Sequence, residues 1–430
     1  MKHAPYWKLL PPALLACAFH ASQAQVLDWT ATRIDGFGSD FPATDINNAG
    51  QVVGWRSVSP TGPRAYLYSQ GRIIDISLGG AQSQAYAINE TGQVVGWGML
   101  PGQSTPRAFS YAGGVVRELP SPSGFQSEAI HLNDRGTIIT LESSTPVAPS
   151  LYLSGAVYNG ELRTPFHDTG RTAVPVRINN SGQILGKETG SFPRSAFIDH
   201  NGVTTPLGSL GGNEVFPVDI NASGQAVGNA LTENGVPHAF LYSDGRMRDL
   251  GTFGGQFSDA SDINDAGQVT GAAFLPTEPP PDAFTVGHAF IYADGMMRDL
   301  GTLGGNISRG KAINELGQVV GFSEVVPGSN EVHAFIYGDG RMIDLTQWLE
   351  RSFNDVIAVD SRTLLLNDSG QIVLGALLAN GTGSLFVLTP IPEPSTYALI
   401  LAGLGALAWV TRRRRPPATT LFPVEGSQLG

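Results

Sequence analysis

The sequence predicts an all-β fold, a β-propeller of about eight four-stranded blades closed by strands from the two chain ends, with seven blades as the alternative. Three observations predict it. One phrase recurs eight times, each unit holds four short extended segments, and the segments at the two chain ends complement each other. The 430 residues also include 54 Gly without a Gly-X-Y period, which favours many tight turns and excludes a collagen.

The repeated phrase reads Ile-Asn-x-x-Gly-Gln-Val-Val-Gly in its commonest form. The third copy is degenerate, because Leu132 opens the run Leu-Asn-Asp-Arg-Gly-Thr. Units of this length match propeller blades, whereas the rungs of a β-solenoid, the second possibility, are usually shorter. The eight copies begin 42 to 53 residues apart, at Ile46, Ile88, Leu132, Ile178, Ile220, Ile263, Ile313 and Leu366.

Each unit contains four extended segments. Segment a ends in Ile-Asn, segment b is Gln-Val-Val-Gly, segment c resembles Ala-Phe-Ile-Tyr and segment d resembles Met-Arg-Asp-Leu. Segments b and c are rich in β-branched and aromatic residues and show no helical period. Asn-x-x-Gly between a and b suits a hairpin turn, and so does Asp-Gly between c and d, as at Asp244-Gly245. Each unit is therefore predicted to be a four-stranded antiparallel meander.

The two ends of the repeat region predict how the ring closes. Residues 29–36 precede the first Ile-Asn and resemble segment d, while Ser384–Leu388 resemble a segment c that no segment d follows. We expect the N-terminal strand to complete the last blade, which would remove an exposed sheet edge.

The N-terminus has the pattern of a secretory signal peptide over residues 1–24. Lys2 and Lys8 precede an apolar stretch that ends in Ser22-Gln23-Ala24, a small-residue cleavage site for signal peptidase. A second interpretation is a lipobox at Leu14-Leu15-Ala16-Cys17. Cys17 is the sole cysteine, so cleavage after Ala24 would leave a mature protein without disulfides.

The C-terminus combines a Pro-Glu-Pro motif, fourteen residues without charge (397–410) and an arginine run. The apolar stretch predicts a short membrane helix, and the arginines place that side in the cytoplasm. These residues resemble the PEP-CTERM sorting signal of Gram-negative bacteria. The resemblance implies transient insertion in the inner membrane, processing by an exosortase, and release or transfer to the cell surface or extracellular space. The residues that carry it are Pro392, Glu393, Pro394, Arg412, Arg413, Arg414 and Arg415.

These patterns divide the chain into four parts: the signal peptide at 1–24, the propeller at 25–390, the sorting signal with its hydrophobic helix at 391–415, and a disordered tail at 416–430. The tail departs from the PEP-CTERM pattern, which usually ends at the arginines. Within the propeller, His-Ala-Phe at His238, His288 and His333 resembles the HAF repeat of bacterial extracellular proteins. That resemblance covers nearly all of 28–390 and implies an exported repeat protein without a particular activity.

Charge and motifs exclude several functions. The chain has a net charge of −11, and residues 25–390 alone hold 20 basic against 35 acidic residues, or −15, so we expect no nucleic-acid partner. We also predict no cofactor, no metal and no catalytic residue. The three His-Ala-Phe histidines would be spread around a ring, and the calcium-like run from Asp262 has Ala266 and Ala273 where oxygen ligands belong. No GxSxG, HExxH or CxxC occurs.

The variable d–a and b–c loops are predicted to share one face of the propeller, where loop residues could bind a ligand. Acidic and aromatic side chains there suit sugar stacking or a cation-bridged polysaccharide. We therefore expect a non-enzymatic binding or structural protein associated with exopolysaccharide or a surface protein. The alternative is a propeller glycosidase or polysaccharide lyase, which needs two acids about 5–10 Å apart near the axis. The predicted binding rim comprises Asp40, Phe41, Glu128, Glu214, Phe216, Phe257 and Asp259.

Overall fold

The computed structural model describes residues 29–38, 42–58, 62–144, 154–166, 172–190, 192–276, 286–329 and 331–391. The predicted signal peptide, residues 392–415 of the sorting signal, and the tail all lie outside these ranges. Thr30–Thr389 form one compact unit. Within the described ranges, no helix is long and apolar enough to cross a membrane.

Eight four-stranded antiparallel sheets form a propeller, so the prediction of eight blades is confirmed and the alternative of seven is wrong. Blades 1 to 4 comprise β2 (Ala43–Ile46), β3 (Val52–Val58), β4 (Gly62–Ser69) and β5 (Arg72–Asp75); β6 (Ser83–Ile88), β7 (Val94–Gly98), β8 (Arg107–Ala112) and β9 (Val115–Glu118); β10 (Gln126–Leu132), β11 (Thr137–Ser143), β12 (Ser154–Asn159) and β13 (Leu162–Pro165); β14 (Ala173–Ile178), β15 (Ile184–Glu188), β16 (Ala196–His200) and β17 (Val203–Pro206).

Blades 5 to 7 follow the same plan, and blade 8 takes three strands from the C-terminus and one from the N-terminus. They comprise β18 (Gly211–Ile220), β19 (Ala226–Thr232), β20 (Pro237–Ser243) and β21 (Arg246–Asp249); β22 (Ser258–Ile263), β23 (Val269–Phe274), β24 (Gly287–Ala293) and β25 (Met296–Asp299); β26 (Ser308–Ile313), β27 (Val319–Glu324), β28 (Val332–Gly338) and β29 (Arg341–Asp344); β30 (Val356–Leu366), β31 (Ile372–Leu378), β32 (Gly383–Pro390) and β1 (Trp29–Phe37).

The closure predicted from the chain ends is confirmed. The sheet of blade 8 has the order β1-β32-β31-β30, so the N-terminal strand is its outer strand d. Ile34 and Phe37 of β1 are buried with Val387 of β32 and with Tyr66 of blade 1. The chain ends therefore share one hydrophobic core, and the last blade is complete.

Both predicted turn types form as the turn residues require. Asp244 and Gly245 have φ of +54° and +75°, the pair of positive angles that defines a type I′ hairpin turn. In the a–b turn, the Asn Oδ1 accepts hydrogen bonds from backbone N–H groups two and four residues later, as Asn221 does from Ser223 and Gln225. The glycine of strand b has a further role, because a Cβ on Gly271 would collide with the backbone carbonyl of Asp259.

A ring of eight asparagines joins the blades around the axis. The Nδ2 of each asparagine in the repeated phrase donates to the backbone oxygen of the equivalent asparagine in the next blade, at 2.8 to 3.1 Å. The last bond, from Asn367 to Asn47, spans 320 positions of sequence and closes the ring. The ring comprises Asn47, Asn89, Asn133, Asn179, Asn221, Asn264, Asn314 and Asn367.

Hydrophobic clusters fill the space between neighbouring sheets. The phenylalanine of strand c is fully buried in several blades, as Phe240, Phe290 and Phe335 show. Between blades 7 and 8, the chain forms α1 (Leu345–Ser352), a helix that the sequence interpretation did not predict. Asp344 caps it by accepting a hydrogen bond from the backbone of Gln347 at 2.8 Å, and Leu349 is buried.

Candidate binding surfaces

The predicted rim residues that the structure describes lie at the beginning of strand a or just before it, on the face of the d–a and b–c loops. Glu128, Phe216 and Asp259 occupy equivalent places in blades 3, 5 and 6, four residues before the residue that ends strand a. The structure therefore puts them at one level near the axis. Asp40 and Phe41 lie outside the described residues.

Glu128 is buried rather than presented to solvent. Its carboxylate accepts a hydrogen bond from Tyr86 Oη at 3.2 Å, and that hydroxyl accepts one from Trp97 Nε1 at 2.9 Å. Burial, followed by the nearby carboxylate, raises the pKa of Tyr86. These three side chains link blades 2 and 3, so Glu128 has a packing role here.

Two of the predicted acids are held in ion pairs. Arg194 Nη1 lies 2.8 Å from Glu214 Oε1, and Arg309 Nη2 lies 2.7 Å from Asp259 Oδ1. Burial raises the pKa of Asp259, and the arginine opposes this effect. Each carboxylate is therefore partly neutralised by a neighbouring blade or loop. The sequence alone did not indicate either pairing.

The two aromatic members of the rim differ in exposure. Phe216 is 41% exposed and could contact a ligand. Phe257 packs edge-on against Phe274, with ring centroids 6.0 Å apart, and is half-buried. Of the five rim residues that the structure describes, Phe216 is the one that a large solute reaches most easily.

A polar belt around the axis was missed at the sequence level. It comes from the residue directly before the Ile of the repeated phrase, which follows a β-bulge in strand a. Asp45 accepts hydrogen bonds from the backbone of Ile46 and Ile88, both at 2.9 Å, and so joins blades 1 and 2. The other charged or titratable members are His131, Arg177, Asp219 and Asp262. The variation of this position between copies was the signal that could have revealed the belt.

Burial governs the titration of the belt. It raises the pKa of Asp45 to about 6 and lowers the pKa of His131 to about 3. The pKa of Asp262 is raised well above its usual value, first by burial and then by Asp219, to which it is hydrogen-bonded. Arg177 Nε lies 3.6 Å from Asp219 Oδ1. At neutral pH, the imidazole of His131 in the belt is therefore neutral.

The opposite face, formed by the tight turns, has a circle of carboxylates around the axis. Each accepts a hydrogen bond from a backbone N–H of the preceding blade, as Asp265 does from Ala222 at 2.7 Å. Burial is the main cause that raises the pKa of Glu90 and Glu315. The circle therefore satisfies turn donors and joins blades. It comprises Glu90, Asp134, Asp265, Glu315 and Asp368.

The three His-Ala-Phe histidines lie at the start of strand c in successive blades. His238 Nδ1 contacts Asp249 Oδ2 at 2.8 Å, and the pairs of His288 with Asp299 and His333 with Asp344 are equivalent. Each pair joins strand c to strand d. In the ranges that the structure describes, no three His, Cys, Asp or Glu residues are arranged to hold a metal ion.

Two clefts open on the tight-turn face, on either side of blade 3. The cleft between blades 3 and 4 has a volume of about 740 Å³ and is lined by residues that include Arg135, Thr137, Asn159, Asp199 and His200. The cleft between blades 2 and 3 has a volume of about 510 Å³. Neither cleft was predicted, because the sequence interpretation considered the loop face.

The comparison with protein families decides the role of the C-terminus. The model described as "PEP-CTERM protein-sorting motif" matches residues 390–415. The chain carries a PEP-CTERM protein-sorting motif. This motif indicates exosortase-dependent export and sorting to the cell surface or extracellular space. The match begins at Pro390, the last residue of β32.

Solved structures with a similar fold have little sequence in common with the chain, and no curated protein sequence matches it. TolB from Acinetobacter baumannii is 13% identical at a TM-score of 0.35, covering 70% of this chain and 81% of its own. The β-propeller domain of the trilobed protease from Pyrococcus furiosus is 11% identical at a TM-score of 0.44, covering 72% and 97%. The SapL1 lectin in complex with alpha methyl fucoside is 10% identical at a TM-score of 0.30, covering 71% and 96%.

Proposed function

We propose that this chain is an exported, non-enzymatic binding module of the HAF-repeat type. Signal peptidase would remove residues 1–24, and an exosortase would process the C-terminal motif after transient insertion in the inner membrane. The propeller would then act at the cell surface or in the extracellular matrix, bound to exopolysaccharide or to another surface protein. The observation that carries the proposal is the sorting motif at 390–415, directly after a propeller that closes on itself.

The state of the acidic groups supports binding rather than catalysis. Glu214 and Asp259 are ion-paired, and Asp219 and Asp262 form a hydrogen bond with each other at the axis. Glycoside hydrolysis by two carboxyl groups needs a separation of about 5 Å or more, so that the sugar or a water can lie between them. A hydrogen-bonded pair leaves no such space, which is why we place the glycosidase or lyase alternative second.

Processing is tested in a host that has an exosortase and in the same host without it. We expect mass spectrometry of the mature protein to find cleavage near Pro392-Glu393-Pro394 in the first host, and the intact tail in the second. Glu393→Ala should block cleavage, whereas Glu425→Ala, beyond the arginines, should not. Equal C-termini in both hosts would contradict the exosortase step.

Binding and catalysis are tested with the mature protein recovered from the culture. We expect it to sediment with extracellular polysaccharide from the producing strain, and we expect no rise in reducing ends or unsaturated sugar over a day of incubation. Loss of retention would refute the binding part of the proposal. Release of sugar fragments would refute the non-enzymatic part.

A further inference from the structure

We propose that the cleft between blades 3 and 4 is a binding site for a short saccharide with one carboxylate, such as a uronate unit, and that Arg135 pairs with this carboxylate. The inference rests on the proposed function, since it names the class of ligand that the exported propeller takes. It concerns the tight-turn face rather than the rim of variable loops.

The cleft is larger than its neighbour, and one of its lining residues departs from the repeated phrase. Seven copies have Gln after the turn glycine, and six of these side chains pack on the turn glycine of the next blade. A Cβ added to Gly224, for example, would lie 2.7 Å from Gln183 Oε1. Blade 3 has Thr137 instead, and the equivalent glycine, Gly182, has open space around it. The missing amide leaves free space beside Gly182, and this space widens the groove between the two blades.

The cleft also contains a cation that the other copies lack. Arg135 is exposed, and its guanidinium makes no ion pair or hydrogen bond with the residues that the structure describes. At the equivalent turn position, the other copies have small or apolar residues: Ala49, Thr91, Ser181, Ser223, Ala266, Leu316 and Ser369. An arginine recognises a carboxylate through two parallel hydrogen bonds. In a propeller with a net negative charge, an exposed arginine is a favourable place for an anion to bind.

The rest of the lining suits hydroxyl groups. Asn159, Asp199 and His200 supply amide, carboxylate and imidazole groups, while Val157 and Ile184 provide an apolar floor. A volume of about 740 Å³ falls within the range of small-molecule sites and is large enough for a few sugar units. Because Asp199 lies in the same lining, a group with a double negative charge would be repelled. The site therefore favours a single carboxylate over a phosphate.

The neighbouring cleft serves as an internal comparison. Its Arg117 lies 4.0 Å from Glu161, and its Glu118 is paired with Arg107 at 2.7 Å. Arg117 already has the carboxylates of Glu118 and Glu161 in the same lining, so the charge of that cleft favours an acidic ligand less. The proposal therefore assigns the site to one cleft of the two.

The test measures binding of a glucuronate-containing tetrasaccharide to the mature protein by calorimetry, with its carboxyl-reduced form as the neutral probe. We expect the wild-type protein to prefer the acidic probe. Arg135→Gln should weaken binding of the acidic probe about tenfold or more and abolish the preference. Thr137→Gln should weaken binding of both probes, because the restored amide would occupy the space beside Gly182 and narrow the cleft, while the fold keeps its thermal stability.

A matched control opens the equivalent groove in another blade. Gln225→Thr imitates Thr137, but Ser223 stands where Arg135 would be, so this variant should gain no second site for the acidic probe. Failure of the wild-type protein to bind the acidic probe, or unchanged binding in Thr137→Gln, would overturn the inference. Sedimentation with the strain's polysaccharide tests the proposed function separately from this site. If Thr137→Gln and wild type both sediment with it, the binding function stands and this site is wrong.

Discussion

The asparagine ring makes a quantitative prediction about stability. In Asn221→Ala, four hydrogen bonds are lost: Nδ2 donates to Asn264 O at 3.0 Å and to Gln225 Oε1 at 2.7 Å, and Oδ1 accepts from Ser223 N and Gln225 N. A buried hydrogen bond contributes about 1 kcal/mol net, so the sum is about 4 kcal/mol. Asn264 O also accepts from Gly267 N at 3.0 Å and is not orphaned. We therefore expect the free energy of unfolding to fall by about 3 kcal/mol.

This loss converts into a modest thermal shift because the propeller is large. An unfolding entropy of about 2.1 cal/mol/K per residue over roughly 360 residues gives about 0.75 kcal/mol/K, so the midpoint should fall by about 4 °C. Calorimetry and urea titration measure the shift, and Ser223→Ala in the same turn should leave stability within about 0.5 kcal/mol. Asn367→Ala breaks the closing bond to Asn47 and should cost as much as Asn221→Ala. If both asparagine variants match the serine control, the ring does not stabilise the fold.

Three further predictions concern closure, pH and the strand c histidines. Phe37→Ala should cost about 3–5 kcal/mol in urea titration and speed proteolysis of the N-terminal strand, because Phe37 is buried against Tyr66 at 5.3 Å between ring centroids; unchanged proteolysis would contradict closure by β1. Burial raises the pKa of Asp45 to about 6, so the folded protein holds this proton more tightly than the unfolded chain does. The stability that results is lost as pH rises through 6. Asp45→Asn should therefore reduce the loss between pH 5 and pH 7.5 by about 1 kcal/mol, and identical pH profiles would refute the assignment. His238→Ala breaks a partly exposed pair with Asp249 and should cost about 1 kcal/mol or less, so a cost of several kcal/mol would show that the pair does more than join two strands.

The architecture could be predicted from the sequence because similar turn signals recur in each unit. Asn and Gly in the a–b turn act over a few residues, as does a pair that ends in Gly in the c–d turn, such as Asp244-Gly245. Their regular recurrence specifies the sheets. The closing strand could be recognised for the same reason, since residues 29–36 resemble a segment d. The signals for helix α1 were also present, in a capping Asp344 before Leu345 and Leu349, but a short helix within a repeat of strands is easily overlooked.

The candidate surface could not be predicted as well, because its residues are determined by partners from other blades. Glu214 and Asp259 were predicted as members of a binding rim because they are acidic residues in variable loops. Each is paired with an arginine, and the sequence did not indicate that pairing. Glu128 is buried in a network with Tyr86 and Trp97. Side-chain partners of this kind depend on the approach of neighbouring sheets, which no local pattern of residues reveals.

Blade 3 shows how a repeat protein can separate folding from function. Its phrase retains Asn133, which continues the ring to Asn179 at 3.1 Å, and Gly136, which allows the positive φ of the turn. Blade 3 has Thr137 in place of the glutamine that lies in the groove of other blades, and its sheet still forms with four strands. The positions that hold the ring are therefore those that cannot vary without a loss of stability, whereas the position of Thr137 can vary at little cost. In such a fold, a ligand site is best sought at residues that differ from the repeated phrase but leave the asparagine ring intact.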